Sequence, residues 1–234
     1  MNRLQKIKSF LKAYIKSMRL YYSFVTGIAG WLGLSFYDHI GTDFHTVEIL
    51  PSPEKKIFIL IILFLSWGIN QIINDYLGLN EDRINAPDRP MVTGELNARH
   101  ALLLSFAFIL FSAIMTLLFL EPVALIPLSL GVILNVLYEK VKSYGIIGNL
   151  TFGLMITMCA AFGYLAAGPT QAPYFTSSRI SVLLIVLLMN GLMTFYTYFK
   201  DYEGDKAAGK KTIVVQYGIN KSRIFAISFS IFPA

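Results

Sequence analysis

The chain has 234 residues, of which 55% are hydrophobic and 15% charged; with a mean hydropathy of +0.59, that balance excludes an ordinary soluble domain and predicts an integral membrane protein. The net charge of +6 does not call for nucleic acid, because membrane topology accounts for it below. Cys159 is the single cysteine, which excludes an intrachain disulfide and a thiolate metal cluster.

Residues 2–19, NRLQKIKSFLKAYIKSMR, read as a basic amphipathic helix lying on the inner leaflet. Apolar runs follow at 20–37, 57–77, 100–120, 122–138, 146–168 and 180–199, each near the roughly 17 to 25 residues that a helix needs to cross a bilayer. A seventh opens at Arg223 and is cut short at Ala234. The expected fold is therefore an all-α polytopic transmembrane bundle of six complete spans and a truncated seventh. The first run lacks a small-x-small cleavage site, so it reads as a retained anchor. His39 and His45, with Asp38 and Asp43, match no standard zinc spacing and read as a polar loop.

In the second run, Gln71, Asp75, Gly78 and Asp82 step by four, three and four, one stripe of a helix with Asn74 beside it. Carboxylates at the end of a span are costly and mark an ion or substrate site. The connection after it, stiffened by Pro87 and Pro90, is long enough to be a lid or binding element. The third run has no ionisable residue between Ala101 and Leu120 and reads as scaffold; the fourth makes a hairpin with it and ends in Asn135, Tyr138 and Lys142 on one face. Small residues of the fifth, including Ala160, Gly163 and Ala167, permit close helix contact. In the sixth, Asn190, Thr194, Tyr198, Asp201 and Asp205 again run to two acids, and a loop with Lys206, Lys210 and Lys211 follows.

Alternating the connections from a cytoplasmic N-terminus places 17 Lys and Arg inside and 3 outside. That asymmetry fits the positive-inside rule and puts all three polar helix ends on the cytoplasmic side. Paired carboxylates with amide oxygens suit Mg²⁺ bridging to phosphates. The neighbouring cations Arg83, Arg89, Lys142, Lys206 and Lys210 suit the remaining diphosphate oxygens. An apolar cavity between helices suits a lipid tail, so the expected donor is a lipid diphosphate.

NDYLGLNED at 74–82 followed by RINAPDRP resembles the first aspartate-rich motif of the UbiA-type intramembrane prenyltransferases, and DYEGD at 201–205 followed by KAAGKKT resembles the second. Tyr138 and Lys142 are similar to that family's Y-x-x-x-K element, and Arg19 resembles its arginine near the acceptor or diphosphate. The resemblance covers essentially the whole chain, residues 1–234, as one prenyltransferase-like domain that is incomplete at its C-terminus, since the family typically has nine spans. It implies Mg²⁺-dependent ionisation of an isoprenyl diphosphate and transfer of the isoprenyl group to a small aromatic or lipid acceptor, with an aromatic quinone precursor expected. Asn74, Asp75, Asp82, Asp201 and Asp205 would hold metal and diphosphate, Asp75, Asp82, Asp201 and Asp205 being the catalytic acids. Asn74, Arg83, Arg89, Tyr138, Lys142, Lys206 and Lys210 would contact diphosphate, and Arg19 the acceptor. Phe64, Trp67, Phe152 and Tyr198 either line the tail or pack against lipid.

Gly78 departs from the family pattern by removing a carboxylate, and Glu81 stands roughly 120° off the stripe by helical period. A truncated non-catalytic membrane relative that binds lipid diphosphate or assembles with partners is the alternative reading. An ion-coupled transporter is a third, which leaves the basic loops unexplained.

Overall fold

The computed structural model describes residues 2–37, 50–169 and 176–231; the His39 and His45 loop lies outside them. Among the described residues the secondary structure is helical throughout, and five helices are long and apolar enough to cross a membrane.

Helix α1 (Arg3–Met18) begins with a capping box, in which Asn2 accepts from the Gln5 amide and Gln5 returns a bond to Asn2. It ends at Arg19, whose φ of 48° makes it the one non-glycine in the left-handed region among the described residues. A 3₁₀ turn (Leu20–Tyr22) leads into α2 (Phe24–Ser35). The run expected at 20–37 is thus a shorter helix, because the turn after Arg19 takes up its first residues.

Helix α3 (Pro53–Leu77) starts at a serine cap, Ser52, with proline in its first turn. Two short helices, α4 (Leu79–Asn85) and α5 (Pro90–Thr93), occupy the connection expected to be a loop. Then come α6 (Ala98–Phe119), a 3₁₀ turn (Pro122–Ala124) with α7 (Leu125–Val141), α8 (Ile146–Ala167) and α9 (Ser177–Lys200). The chain continues with α10 (Tyr202–Ala207), α11 (Ile213–Tyr217) and α12 (Ile219–Ile231). Helix α12, the expected seventh span, starts four residues before Arg223.

The pole of the bundle is α8, the most buried of the spans, packed against α2, α3, α7 and α9. Its small residues let backbones meet. A Cβ on Gly163 would stand 2.1 Å from the Gly30 carbonyl oxygen, and one on Gly33 would stand 1.9 Å from that of Ala160. In lipid, where apolar burial drives helices together weakly, this close packing supplies the contact energy. Helix α6, by contrast, leaves Leu103, Leu110 and Leu118 exposed, the outer face of a lipid-facing scaffold helix.

Candidate active site

Both acid motifs sit on helix breaks. Helix α3 stops at Gly78 and the chain restarts as α4, so Asp75 lies on the last turn of one helix and Asp82 in the next. Likewise Asp201 caps α9 and opens α10, which carries Asp205. Asn85 joins the two breaks: its Oδ1 accepts from the Gly204 amide at 2.9 Å, and its Nδ2 donates to the Asp201 carbonyl at 3.3 Å. A Cβ on Gly204 would fall 2.3 Å from the Asn85 amide atoms, so a larger residue there would push the Asn85 amide aside.

The joined breaks wall a cavity of about 380 Å³. Arg19, Asn74, Asp75, Asp82, Arg89, Tyr138, Lys142, Asp201 and Asp205, all expected from the sequence, line it. Six carboxylates (Asp75, Glu81, Asp82, Glu139, Asp201, Asp205) face four cations (Arg19, Arg89, Lys142, Lys200), a formal balance of −2.

The charges form two clusters. In one, Asp75, 1% exposed, accepts from Arg19 and, at 3.1 Å, from Arg89; Arg89 also pairs with Asp82, and Arg19 Nη1 donates to Gln71 Oε1 at 2.6 Å. In the other, Lys142 pairs with Glu139 at 2.8 Å and lies 4.0 Å from Asp205, while Lys210 bridges Glu81 at 2.6 Å and Glu139. Burial pushes the carboxyls of Asp82 and Asp205 up to about 6, against the pull of Arg89 and of Lys142. It raises Asp201 in the same direction. Burial also works against the charge on Lys142, yet Glu139 and Asp205 outweigh it and its pKa rises.

Three expected diphosphate ligands lie elsewhere. Arg83 is exposed, and so is Lys206, whose ammonium sits 5.5 Å over the Tyr202 ring. Each follows a cavity acid by one residue, and one residue turns a helical side chain by about 100°. Lys210 reaches the acids from outside the cavity wall through its two ion pairs. Of the aromatics, Trp67, Phe152 and Tyr198 line the cavity, whereas Phe64 packs edge-on to Phe24.

Three residues enter that sequence reasoning assigned no role or set aside: Glu81, Asn85 and Glu139. Glu81 is buried against the cavity because the break at Gly78 resets the helical phase that had placed it off the stripe. Glu139 occupies the space that position 78 leaves open, since a Cβ on Gly78 would lie 3.3 Å from its Oε1. The carboxylate missing from one helix is thus met by one from another. Its signal was its place between Tyr138 and Lys142, within the recognised element.

Among the described residues no three His, Cys, Asp or Glu side chains converge closely enough to hold a metal ion unaided. The donors nonetheless suit one shared with a substrate. Asp75 Oδ2 and Asn74 Oδ1 are buried without a hydrogen-bond partner among the described residues, and both are hard oxygens of the kind Mg²⁺ takes.

One helical turn along α3, α7 and α8 from the polar cavity, a second chamber of about 80 Å³ is lined by such residues as Ile62, Ile69, Val132, Met155 and Cys159. Asn70 stands between the two, accepting from Asn74 Nδ2 at 2.8 Å and contacting Met155 Sδ at 3.8 Å.

A bundle of membrane-length helices that surrounds an acid-walled, cation-studded cavity with an apolar chamber behind it belongs to the class of membrane enzymes that handle a charged head and a greasy tail together. The sequence model of the UbiA prenyltransferase family matches residues 46–234, and the chain belongs to that family of prenyltransferases. The digeranylgeranylglyceryl phosphate synthase of Thermococcus sibiricus is 26% identical over 223 residues, 94% of this chain and 74% of the relative. That of Methanobrevibacter smithii is 32% identical over 183 residues, 75% of this chain and 62% of its own length. A solved structure described for digeranylgeranylglyceryl phosphate synthase in membranes is 27% identical with a TM-score of 0.68, covering 95% of this chain and 74% of that one. A UbiA homologue from Archaeoglobus fulgidus, solved with DMAPP and Mg²⁺, shares the fold at 19% identity with a TM-score of 0.75, over 94% and 74% of the two chains.

Proposed function

We propose that this prenyltransferase moves a geranylgeranyl-type group from its diphosphate to a hydroxyl of a glyceryl phosphate lipid, in place of the aromatic quinone precursor expected from sequence. The acceptor class rests on the relatives, whose product carries prenyl chains on glyceryl phosphate. The transfer chemistry rests on one observation: two acid-bearing helix breaks, held together by Asn85, face each other across a cavity of net negative charge. A diphosphate adds further negative charge beside these acids, which divalent cations would offset.

In the transfer, the C1–O bond of the donor breaks and its electron pair leaves on diphosphate; a hydroxyl oxygen of the acceptor then bonds C1 and gives its proton to the released diphosphate. Asn74, Asp75, Asp82, Asp201 and Asp205 are the residues that would hold Mg²⁺. When bound, the ion neutralises charge developing on the departing diphosphate. Lys142 and Arg89 sit beside these acids, where their donors orient phosphate oxygens. Trp67, Phe152 and Tyr198 on the wall offer ring faces to an allylic cation and exclude water. The chamber lined by Ile62 and Met155 takes the beginning of the isoprenoid chain. Arg19, which lines the cavity and pairs with Asp75, would take the acceptor phosphate. The 17-to-3 distribution of Lys and Arg supports a cytoplasmic N-terminus and a cavity opening on that side.

The test is purified protein in lipid nanodiscs with Mg²⁺, geranylgeranyl diphosphate and, in separate reactions, a prenylated glyceryl phosphate or an aromatic acid, with products read by mass spectrometry. The prenylated glyceryl phosphate should gain one geranylgeranyl mass with release of diphosphate, and Asp75→Asn should lose that activity. Product from the aromatic acid alone would overturn the acceptor assignment; full turnover by Asp75→Asn would overturn the site.

A further inference from the structure

Helix α1 carries three distinct faces. Phe10, Ala13, Tyr14, Ser17 and Met18 dock onto the body of the protein, where Tyr14 Oη and Ser105 Oγ of α6 are 2.8 Å apart. Next to that face runs a stripe of exposed aliphatics, Leu4, Ile7, Leu11 and Ile15, each at least 45% exposed although it belongs to a protein-docked helix. Their spacing of three, four and four makes them one row. The next row is Lys8, Lys12 and Lys16, again four apart, and no acid occurs between Arg3 and Met18. Lys16 pairs with Glu95 at 3.3 Å, whereas Lys8 and Lys12 pair with no acid among the described residues. The helix packs mainly on α3 and also touches α6 through side chains: Phe10 meets His100, in the first turn of α6, edge-on at 6.5 Å, and Tyr14 meets Phe108, near its middle, at 6.3 Å. His100 stands at the end of that span, so Phe10 and the turns of α1 before it lie at the depth where acyl chains give way to headgroups.

We propose that this outer side of α1 is a docking surface for anionic lipid headgroups, with the aliphatic row set among acyl chains and Lys8 and Lys12 in the phosphate layer. An apolar row bordered by a basic row, on a helix already docked to the protein near a span end, is complementary to a negatively charged leaflet. The contact reaches the cavity through the covalent chain. Helix α1 ends at Arg19, and Arg19 pairs with Asp75, so lipid that seats the helix also seats that guanidinium.

The test uses the whole protein in two nanodiscs, one of phosphatidylcholine and one of phosphatidylcholine mixed with phosphatidylglycerol, with amide hydrogen exchange followed over residues 3–18. A lysine near an anionic surface strengthens binding by about fivefold. The α1 amides should therefore exchange at least about fivefold more slowly in the anionic disc, as expected for one such lysine, with the difference shrinking in high salt. The variant Lys8→Gln/Lys12→Gln should erase that difference without changing exchange in α8. Equal exchange in the two discs, or a difference that survives both salt and the double substitution, overturns the proposal. Because the readout is exchange, the outcome is independent of which acceptor the enzyme uses.

Discussion

Placing an aspartate at position 78 asks whether Glu139 occupies the carboxylate place that this cavity would otherwise fill from α3. The new Cβ would stand 3.3 Å from Glu139 Oε1 and 3.1 Å from the Asn74 carbonyl oxygen, which leaves its carboxylate little room to turn away. Two like charges about 4 Å apart at an effective dielectric near 20 repel by about 4 kcal/mol, equal to about three pKa units on one of them. Lys142 and Lys210 already bind Glu139 and offset part of this. A net penalty of about 2.7 kcal/mol, or about a hundredfold in kcat/KM, is expected for Gly78→Asp alone. Glu139→Gln alone leaves both lysines short of an anion and should also lower kcat/KM. Combined, Gly78→Asp/Glu139→Gln removes the repulsion and restores the charge, so the double variant should be more active than either single one. The assay is kcat/KM for the isoprenyl diphosphate at saturating Mg²⁺, read as a double-mutant cycle with a favourable coupling above ~1 kcal/mol. Full activity in Gly78→Asp, or a double variant whose loss is the plain sum of the two, refutes the reasoning.

Asn85→Ala cuts both bonds between the acid-bearing breaks. It should destabilise the protein by about 1 to 3 kcal/mol, read by thermal unfolding, and raise the Mg²⁺ concentration needed for half-maximal turnover. Asp82 and Asp205 hold their protons up to about 6, above the ordinary aspartate value, so their ionisation weakens the empty fold. Stability of the metal-free protein contributed by these groups should fall as pH rises from about 4 to about 6 and then level; Mg²⁺ affinity, measured by calorimetry, should rise over the same window. An Asp82→Asn variant should flatten both dependences. Gly163→Ala drives a methyl into the Gly30 carbonyl and should cost about 1 to 3 kcal/mol by overpacking, seen as a lower unfolding temperature with the Mg²⁺ requirement unchanged.

The spans and the two acid motifs were legible because they are periodic: a helix repeats its faces, so Asp75 and Asp82, or Asp201 and Asp205, announce themselves by spacing. Gly163 and Ala160 were legible as packing residues for the same reason. Breaks in helices erased the rest. An unbroken helix through Gly78 would hold Glu81 off the stripe, while the restart at α4 turns it inward. Arg83 and Lys206 carry the charge a diphosphate needs, but each trails its acid by one residue and is exposed. Asn85 acts only through a backbone on another helix, a long-range contact that leaves no local trace. Glu139 lay hidden between two recognised residues because its importance comes from the emptiness of position 78, which becomes visible only in three dimensions.

Asp75 is almost wholly enclosed and shares one oxygen between Arg19 and Arg89. A resting pocket wired this way carries its own counterions, so an anion sunk in a membrane protein is never stranded between catalytic cycles, an outcome that costs several kcal/mol per ion. With metal and substrate bound, Asp75 would serve the cation, and Arg19 and Arg89 would be free to hold the phosphate oxygens. Loading would then be an exchange of partners at nearly constant local charge.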